Sequence, residues 1–316
     1  MYFISAYKGN NEWWRYLLTL LVIFVVSQFV GAFPLLIIIA MNMINGKPAD
    51  LTEFSRTYDP AALGIDNNTG LVVMLFPLVL MFFALLFMMV KFHGKKIGDI
   101  ASAYGKIRWS RMLTAAMVWL VLLVIGEIIF ALIHPGSYTF QLELTKFLPL
   151  VLIAVCLVPF QAWSEELLFR SYLMQGTGLL TKSRLAALLI TSLGFGLLHI
   201  ANPEVREFGF WETMPYYVGF GMFAGILVVM DNGIELTFGV HAINNIYSST
   251  FVNYKSSALT TNSLWVNNDP DPMLMNVGFL VMAIAFILIM NKLYKWDNWE
   301  RFIKRIPSRN QVNQMK

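Results

Sequence analysis

The sequence predicts an all-α fold, a polytopic bundle of about eight transmembrane helices with both termini on the cytoplasmic side. Three observations carry that reading. Hydrophobic residues make up 57% of the chain and charged residues only 13%, against about 25% charged in soluble domains. The apolar residues are gathered into several runs of about 20, the length that crosses a bilayer as a helix. The 23 basic residues are also segregated, and only Lys47, Arg56, Lys146, Arg206 and Lys255 fall in the loops that an eight-span count places outside. That bias sets the orientation.

The first span covers about 16–41, after a short polar start in which Trp13 and Trp14 suit an interfacial position. It is too long for a signal-peptide core and is expected to be retained. A polar loop, 42–70, leads to the second span at about 71–92. A basic segment with Lys91, Lys95, Lys96, Lys106, Arg108 and Arg111 precedes the third, about 112–133, which closes at His134-Pro135-Gly136. The fourth runs from about 147 to 175. Proline is tolerated in a first turn, so Pro149 fits, whereas Pro159 should kink the helix. Gly176-Thr177-Gly178 and Lys182-Ser183-Arg184 read as the following turn. The fifth span, about 185–200, ends before Asn202-Pro203, and an acidic loop (Glu204, Glu207, Glu212) leads to the sixth at about 215–230. Gly221 and Gly225, four apart, read as a close-packing motif on that span. Asp231-Asn232-Gly233 turns the chain into the seventh, about 234–251, and a polar loop separates it from the eighth, about 273–293, and a basic tail. Three regions follow: 1–144 with three spans, a core at 145–254, and 255–316.

The single cysteine, Cys156, excludes an internal disulfide. No zinc-finger spacing or basic-aromatic pattern points to nucleic acid. The informative residues are the polar ones inside apolar runs. A charge at bilayer depth costs roughly 2.5–3.5 kcal/mol on insertion scales and needs a partner. Glu166 has one in Arg170, four residues on with the acid first. Glu165 has Leu168 and Phe169 at those positions, so its partner is expected from another helix. His199 lies on the fifth span, and His241 and Asn245, one turn apart, share a face of the seventh. Glu165 and His199 both stand roughly 20–28 Å along their helices from the turn near Leu180. His93 and His134 sit at span ends and read as interfacial. Glu165, His199, His241 and Asn245 are expected to meet in one cavity within the membrane.

A free carboxylate and a histidine can hold and deprotonate a water. A second histidine and an asparagine amide can donate hydrogen bonds to an oxyanion. Together they suit hydrolysis of a peptide bond without a covalent nucleophile. Ser164 and Ser171 lack a neighbouring histidine, and no Gly-x-Ser-x-Gly turn is present. A non-catalytic scaffold would have no use for an unpaired Glu165. A transporter should show paired interrupted helices, and none is convincing.

Glu165-Glu166-x-x-x-Arg170, Phe195-x-x-x-His199 and His241-x-x-x-Asn245, in that order, resemble the motifs of the CPBP family (Abi, or CAAX-protease and bacteriocin-processing), and the eight-span pattern resembles its type II CAAX prenyl endopeptidases. The resemblance implies an intramembrane endopeptidase of the bacterial inner membrane, with the lipid bilayer and a membrane-anchored protein or peptide as partners. It implies Glu165 as the base, His199 as a water ligand, and His241 with Asn245 as the oxyanion hole. Glu166, Arg170 and Phe195 would support the site or orient substrate. Some relatives are linked to bacteriocin immunity or to anchoring partner proteins. No cofactor is expected, since the chain has no His-Glu-x-x-His helix; the alternative is a zinc ion on Glu165, His199 and His241.

Overall fold

A computed structural model describes residues 2–314 apart from 48 and 255, so Lys255, counted above among the outer residues, lies outside the described residues. The fold is an all-α polytopic bundle. Its principal helices are α1 (Trp13–Ile44), α2 (Asn67–Phe92), α3 (Trp109–Ile133), α4 (Leu144–Thr181), α5 (Arg184–Leu198), α6 (Phe210–Asp231), α7 (Glu235–Thr250) and α8 (Pro272–Tyr294). Each of the eight expected spans has its helix. Among the described residues, six are long and apolar enough to cross a membrane; α5, at 15 residues, and α7, at 16, are not. For α7 the reason is placement. α7 packs between α3 and α4, with Leu236, Thr237, Gly239, Val240, His241 and Ala242 all buried. A helix sheathed by other helices needs no lipid-facing stripe. Leu132 of α3 and Leu280 of α8, by contrast, turn outward.

Several boundaries differ from the sequence reading. α1 is not continuous: a π-helical stretch, Val26–Val30, and a turn at Gly31 interrupt it. α4 does not turn at Gly176-Thr177-Gly178 but stays helical to Thr181, and left-handed Lys182 (φ 56°) makes the turn. Those glycines serve packing instead. A Cβ on Gly176 would stand 2.6 Å from Tyr16, and one on Gly178 would stand 2.5 Å from Phe3. Pro159 lies inside the regular part of α4, and the irregular part comes later as a π-helix, Leu167–Leu173. The 42–70 loop contains a short helix, Leu51–Thr57, and Asp66 caps α2 through the amides of Asn68 and Thr69.

One polar end of the bundle holds three strands too short for the sequence to signal. β1 (Tyr138–Phe140), β2 (Val252–Tyr254) and β3 (Trp265–Asn267) form a sheet in the order β1-β3-β2, with β3 antiparallel to β1 and parallel to β2. Glu204 belongs to the same cap. It is buried, accepts hydrogen bonds from the Ala258 amide (2.7 Å) and the Tyr254 hydroxyl (3.2 Å), and burial holds its carboxyl above the usual range.

At the other end, Arg108 reaches Asp231 (2.7 Å) and Glu235 (2.6 Å), and Arg111 reaches Asp231 (2.8 Å). This network ties the start of α3 to the α6–α7 turn. His93 is not interfacial. It is fully buried, with Nδ1 on the Asn10 carbonyl (2.7 Å) and Nε2 near the Tyr172 hydroxyl (3.0 Å) and Thr19 Oγ1 (3.2 Å). Beside it, Lys95 donates to Gln175 (2.7 Å), and burial pushes its ammonium down to about 8. These contacts fasten the end of α4 to α1 and α2.

Close helix contact depends on small residues. On α6, a Cβ on Gly221 would meet the Ser192 backbone of α5 at 2.9 Å, as the Gly221/Gly225 spacing suggests. The tightest approach between two principal helices is Gly239 of α7, where a Cβ would lie 2.1 Å from the Met112 carbonyl oxygen of α3. Backbone cannot move aside as a side-chain tip can. Gly239→Ala is therefore expected to destabilise the protein by about 1–3 kcal/mol through overpacking. Gly278→Ala, with nothing within 4 Å, should leave it unchanged. Thermal unfolding of the two variants in the same detergent checks this; equal midpoints would contradict the packing assigned to Gly239.

Candidate active site

Three helices bring the expected residues together. Glu165 and Glu166 end the regular part of α4, and Arg170 lies in its π-helical part. Phe195 is in the last turn of α5, and His199 caps it. His241 and Asn245 lie on α7. π-Helical stretches within α-helices occur often at functional positions. Here the stretch begins directly after the two glutamates.

Glu166 is the electrostatic centre. It is fully buried, with Oε1 2.8 Å from His241 Nδ1 and Oε2 3.3 Å from Arg170 Nε. The expected Glu166–Arg170 pair is present, and His241 is a second partner that spacing within one helix could not reveal. Arg170 is also buried, and its Nη1 and Nη2 have no hydrogen-bond partner among the described residues. Its guanidinium instead lies 4.2 Å from the centre of the Phe195 ring, where a cation is attracted to the π face. Phe195 thus wedges between Arg170, His199 (4.7 Å between ring centres) and His241 (6.1 Å).

Glu165 does have a partner on its own helix. Gln161, one turn earlier, donates from Nε2 to Oε1 at 2.6 Å. The other oxygen, Oε2, is buried and makes no hydrogen bond among the described residues; His241 Nε2 lies 3.7 Å from it. The expected partner from another helix is therefore His241, flanked by both glutamates. His199 is half-buried. Its Nδ1 donates to the Phe195 carbonyl (2.8 Å), and its ring stacks on Tyr217 (4.2 Å). It lies within electrostatic range of Glu165 and His241, but no hydrogen bond joins it to Glu165. Asn245 donates from Nδ2 to Gln161 Oε1 at 2.8 Å.

Gln161 is the residue of this cluster that charge-based sequence reading misses. An amide carries no charge, and its only signal is the i, i+4 spacing to Glu165. The hydroxyls of Ser164 and Ser171 donate to backbone carbonyls, of Gln161 (2.7 Å) and Ile100 (3.0 Å), and not to a side chain of this site. The zinc alternative fares poorly on donor geometry. Among the described residues no three His, Cys, Asp or Glu side chains gather as a metal-binding group. Glu165, His199 and His241 therefore do not fit the ion as placed, and no step is derived through one.

The family model for Rce1-like type II CAAX prenyl endopeptidases matches residues 144–247, the stretch that carries all of these residues. The chain is also 30% identical over 259 residues to a Bacillus subtilis (strain 168) protein described as "Uncharacterized protein YyaK", a match covering 81% of this chain and 83% of that one. No solved structure matches. The chain belongs to the Rce1-like, or CPBP, family of membrane proteases, and it is an integral, multi-pass membrane protein.

The two glutamates should separate in experiment. Arg170→Ala leaves a buried carboxylate with one partner fewer, and breaking a buried pair from one side costs about 3–5 kcal/mol. Glu165→Gln keeps its neighbours and should unfold with the wild type. A wild-type melting temperature for Arg170→Ala would contradict the structural role of the pair.

Proposed function

We propose that this chain is an endopeptidase that hydrolyses a peptide bond of a membrane-associated substrate, in CAAX-type C-terminal processing or a related maturation step. The observation that carries the reading is the pair formed by Glu165 Oε2, buried without a hydrogen bond among the described residues, and His241 Nε2, 3.7 Å away. His241 Nδ1 faces a carboxylate, which only accepts, so Nδ1 carries a proton, and in the form the proposed step uses, with one ring proton, Nε2 is an acceptor. Two acceptors at that spacing suit one water lying off their line, about 2.8 Å from each.

In the proposed step, Glu165 takes a proton from this water as the oxygen attacks the scissile carbonyl. The C–N bond then breaks, and Glu165 returns the proton to the departing amine. No covalent intermediate forms. The second N–H of Asn245 is available to the oxyanion; its first is held by Gln161. This arrangement favours His241 as a water ligand over the oxyanion role that the family motif implies. His199 has its Nδ1 proton on the Phe195 carbonyl, which leaves Nε2 as an acceptor for water or for a substrate amide. Glu166 and Arg170 hold His241 in place. We place this chemistry in the 145–254 core, in a bacterial inner membrane with both termini cytoplasmic, as the basic-residue bias supports.

The test is peptide release from a library of membrane-anchored substrates, prenylated and not, using the purified full chain in vesicles. The wild type should release a C-terminal fragment, and Glu165→Gln should release none while remaining folded. Activity should persist through chelator treatment, with no stoichiometric metal by elemental analysis. Zinc whose removal abolishes activity and whose return restores it would overturn the metal-free step. Equal cleavage by Glu165→Gln would overturn the role of Glu165.

A further inference from the structure

Behind the two glutamates runs a line of neutral groups that hydrolysis by Glu165 and water does not by itself require. Trp119 of α3 is fully buried and packs on Phe223, Phe279 and Phe286. Its indole Nε1 donates to Asn244 Oδ1 at 3.2 Å. Asn244 Nδ2 donates to Asn245 Oδ1 at 3.1 Å, and Asn245 Nδ2 donates to Gln161 Oε1 at 2.8 Å. Gln161 Nε2 completes the line at Glu165 Oε1, 2.6 Å away.

The direction of this line is dictated at both ends. An indole N–H can only donate, and an ionised carboxylate can only accept. Between them stand three amides, each with one accepting and one donating end. Turning any one of them over would set two oxygens or two N–H groups against each other at contacts that are buried at Glu165 and partly buried along the rest of the line, where an unmade hydrogen bond costs up to about 1–3 kcal/mol. The Tyr216 hydroxyl also lies beside Asn244, but a hydroxyl can donate or accept and so follows the polarity already set.

We infer that this one-way relay from Trp119 through Asn244, Asn245 and Gln161 fixes the Glu165 carboxylate and the Asn245 amide in their working orientations, making Trp119, Asn244 and Gln161 positioning residues. The inference rests on the proposed role of Glu165. It has two consequences. Oε1 of Glu165 is engaged by the shortest contact of the line, so Oε2 is the oxygen left to face His241. The Asn245 side chain cannot turn over, so an N–H is what it offers beyond its bond to Gln161. The relay also spans three helices, α3, α7 and α4, so their packing is coupled to the carboxylate's direction.

The test uses the full chain, with Gln161→Met, Asn244→Asp, Trp119→Phe and the double variant Trp119→Phe/Gln161→Met. Asn244→Asp is close in shape and still accepts from Trp119, but it sets an acceptor against Asn245 Oδ1. Two readouts are taken. One is the carboxylate stretch of Glu165, isolated as the infrared difference between each protein and its Glu165→Gln counterpart. The other is kcat and KM on the cleaved peptide. The relay predicts a shifted Glu165 band in all three single variants. It predicts kcat about tenfold lower in Gln161→Met, the scale of one lost hydrogen bond to a charge, with KM near the wild type. The double variant should be no worse than Gln161→Met alone, because both changes cut one line. An unmoved band in variants that fold, or rate losses that multiply in the double variant, would overturn it. If Asn244→Asp does not fold, the other two single variants and the double decide. Shifted bands in a protein whose wild type cleaves nothing would sustain the relay and sink the proposed activity.

Discussion

Everything at the centre of this molecule depends on keeping one charge, that of Glu166, out of water. A carboxylate with no exposed surface, inside a bundle of apolar helices, survives only with partners close at hand. Its ionisable partners are Arg170 on its own helix and His241 on α7. The first partner is local and lets α4 carry the charge. The second is the bond that locks α7 against α4 and points the other face of the His241 ring at Glu165. The guanidinium that balances the charge is itself held against the Phe195 ring. Charge, aromatic wedge and histidine therefore form a single unit; Glu165 and His199 adjoin it, and the Asn245 side chain joins it through Gln161 and Glu165.

The same unit accounts for the unusual character of α7. It is the least apolar of the principal helices and one of the shortest, yet it is deeply buried. Its two ends are held by polar contacts, Glu235 to Arg108 at the start and the strand β2 just past its end. Gly239 lets it press against the α3 backbone. A helix so confined presents His241 and Asn245 at a fixed depth, which a helix free to slide in lipid would not do.

Much of this was legible in the sequence. Runs of apolar residues located eight helices, because the cost of exposing backbone to lipid leaves few alternatives. The Glu165, Glu166 and Arg170 cluster stood out because charge is rare at that depth, and the glycine pair on α6 announced close packing. What stayed hidden was of another kind. The partners of Glu165 and Glu166 across helices depend on rotations and depths that one-dimensional spacing does not contain. Gln161, Asn244 and Trp119 carry no charge, and such residues are common enough in membrane helices to give no signal. His93 lies at the end of a span and looks interfacial until Tyr172, Thr19 and Asn10 close over it. The three-residue strands were below any periodicity, and Gly176 and Gly178 resembled a turn because packing and turning favour the same residue.

The central claim is that His241 and Glu166 act as one unit, and a double-mutant cycle on stability tests it most directly. Glu166→Gln, His241→Gln and the double variant would be unfolded alongside the wild type under identical conditions. Groups in direct contact within one network show coupling of roughly 0.5–3 kcal/mol, whereas independent sites add. The account predicts coupling in that range, with the double variant less destabilised than the sum of the single ones. Additivity within error would show that the 2.8 Å contact between His241 Nδ1 and Glu166 Oε1 does not bind α7 to α4, and would contradict the account at its centre.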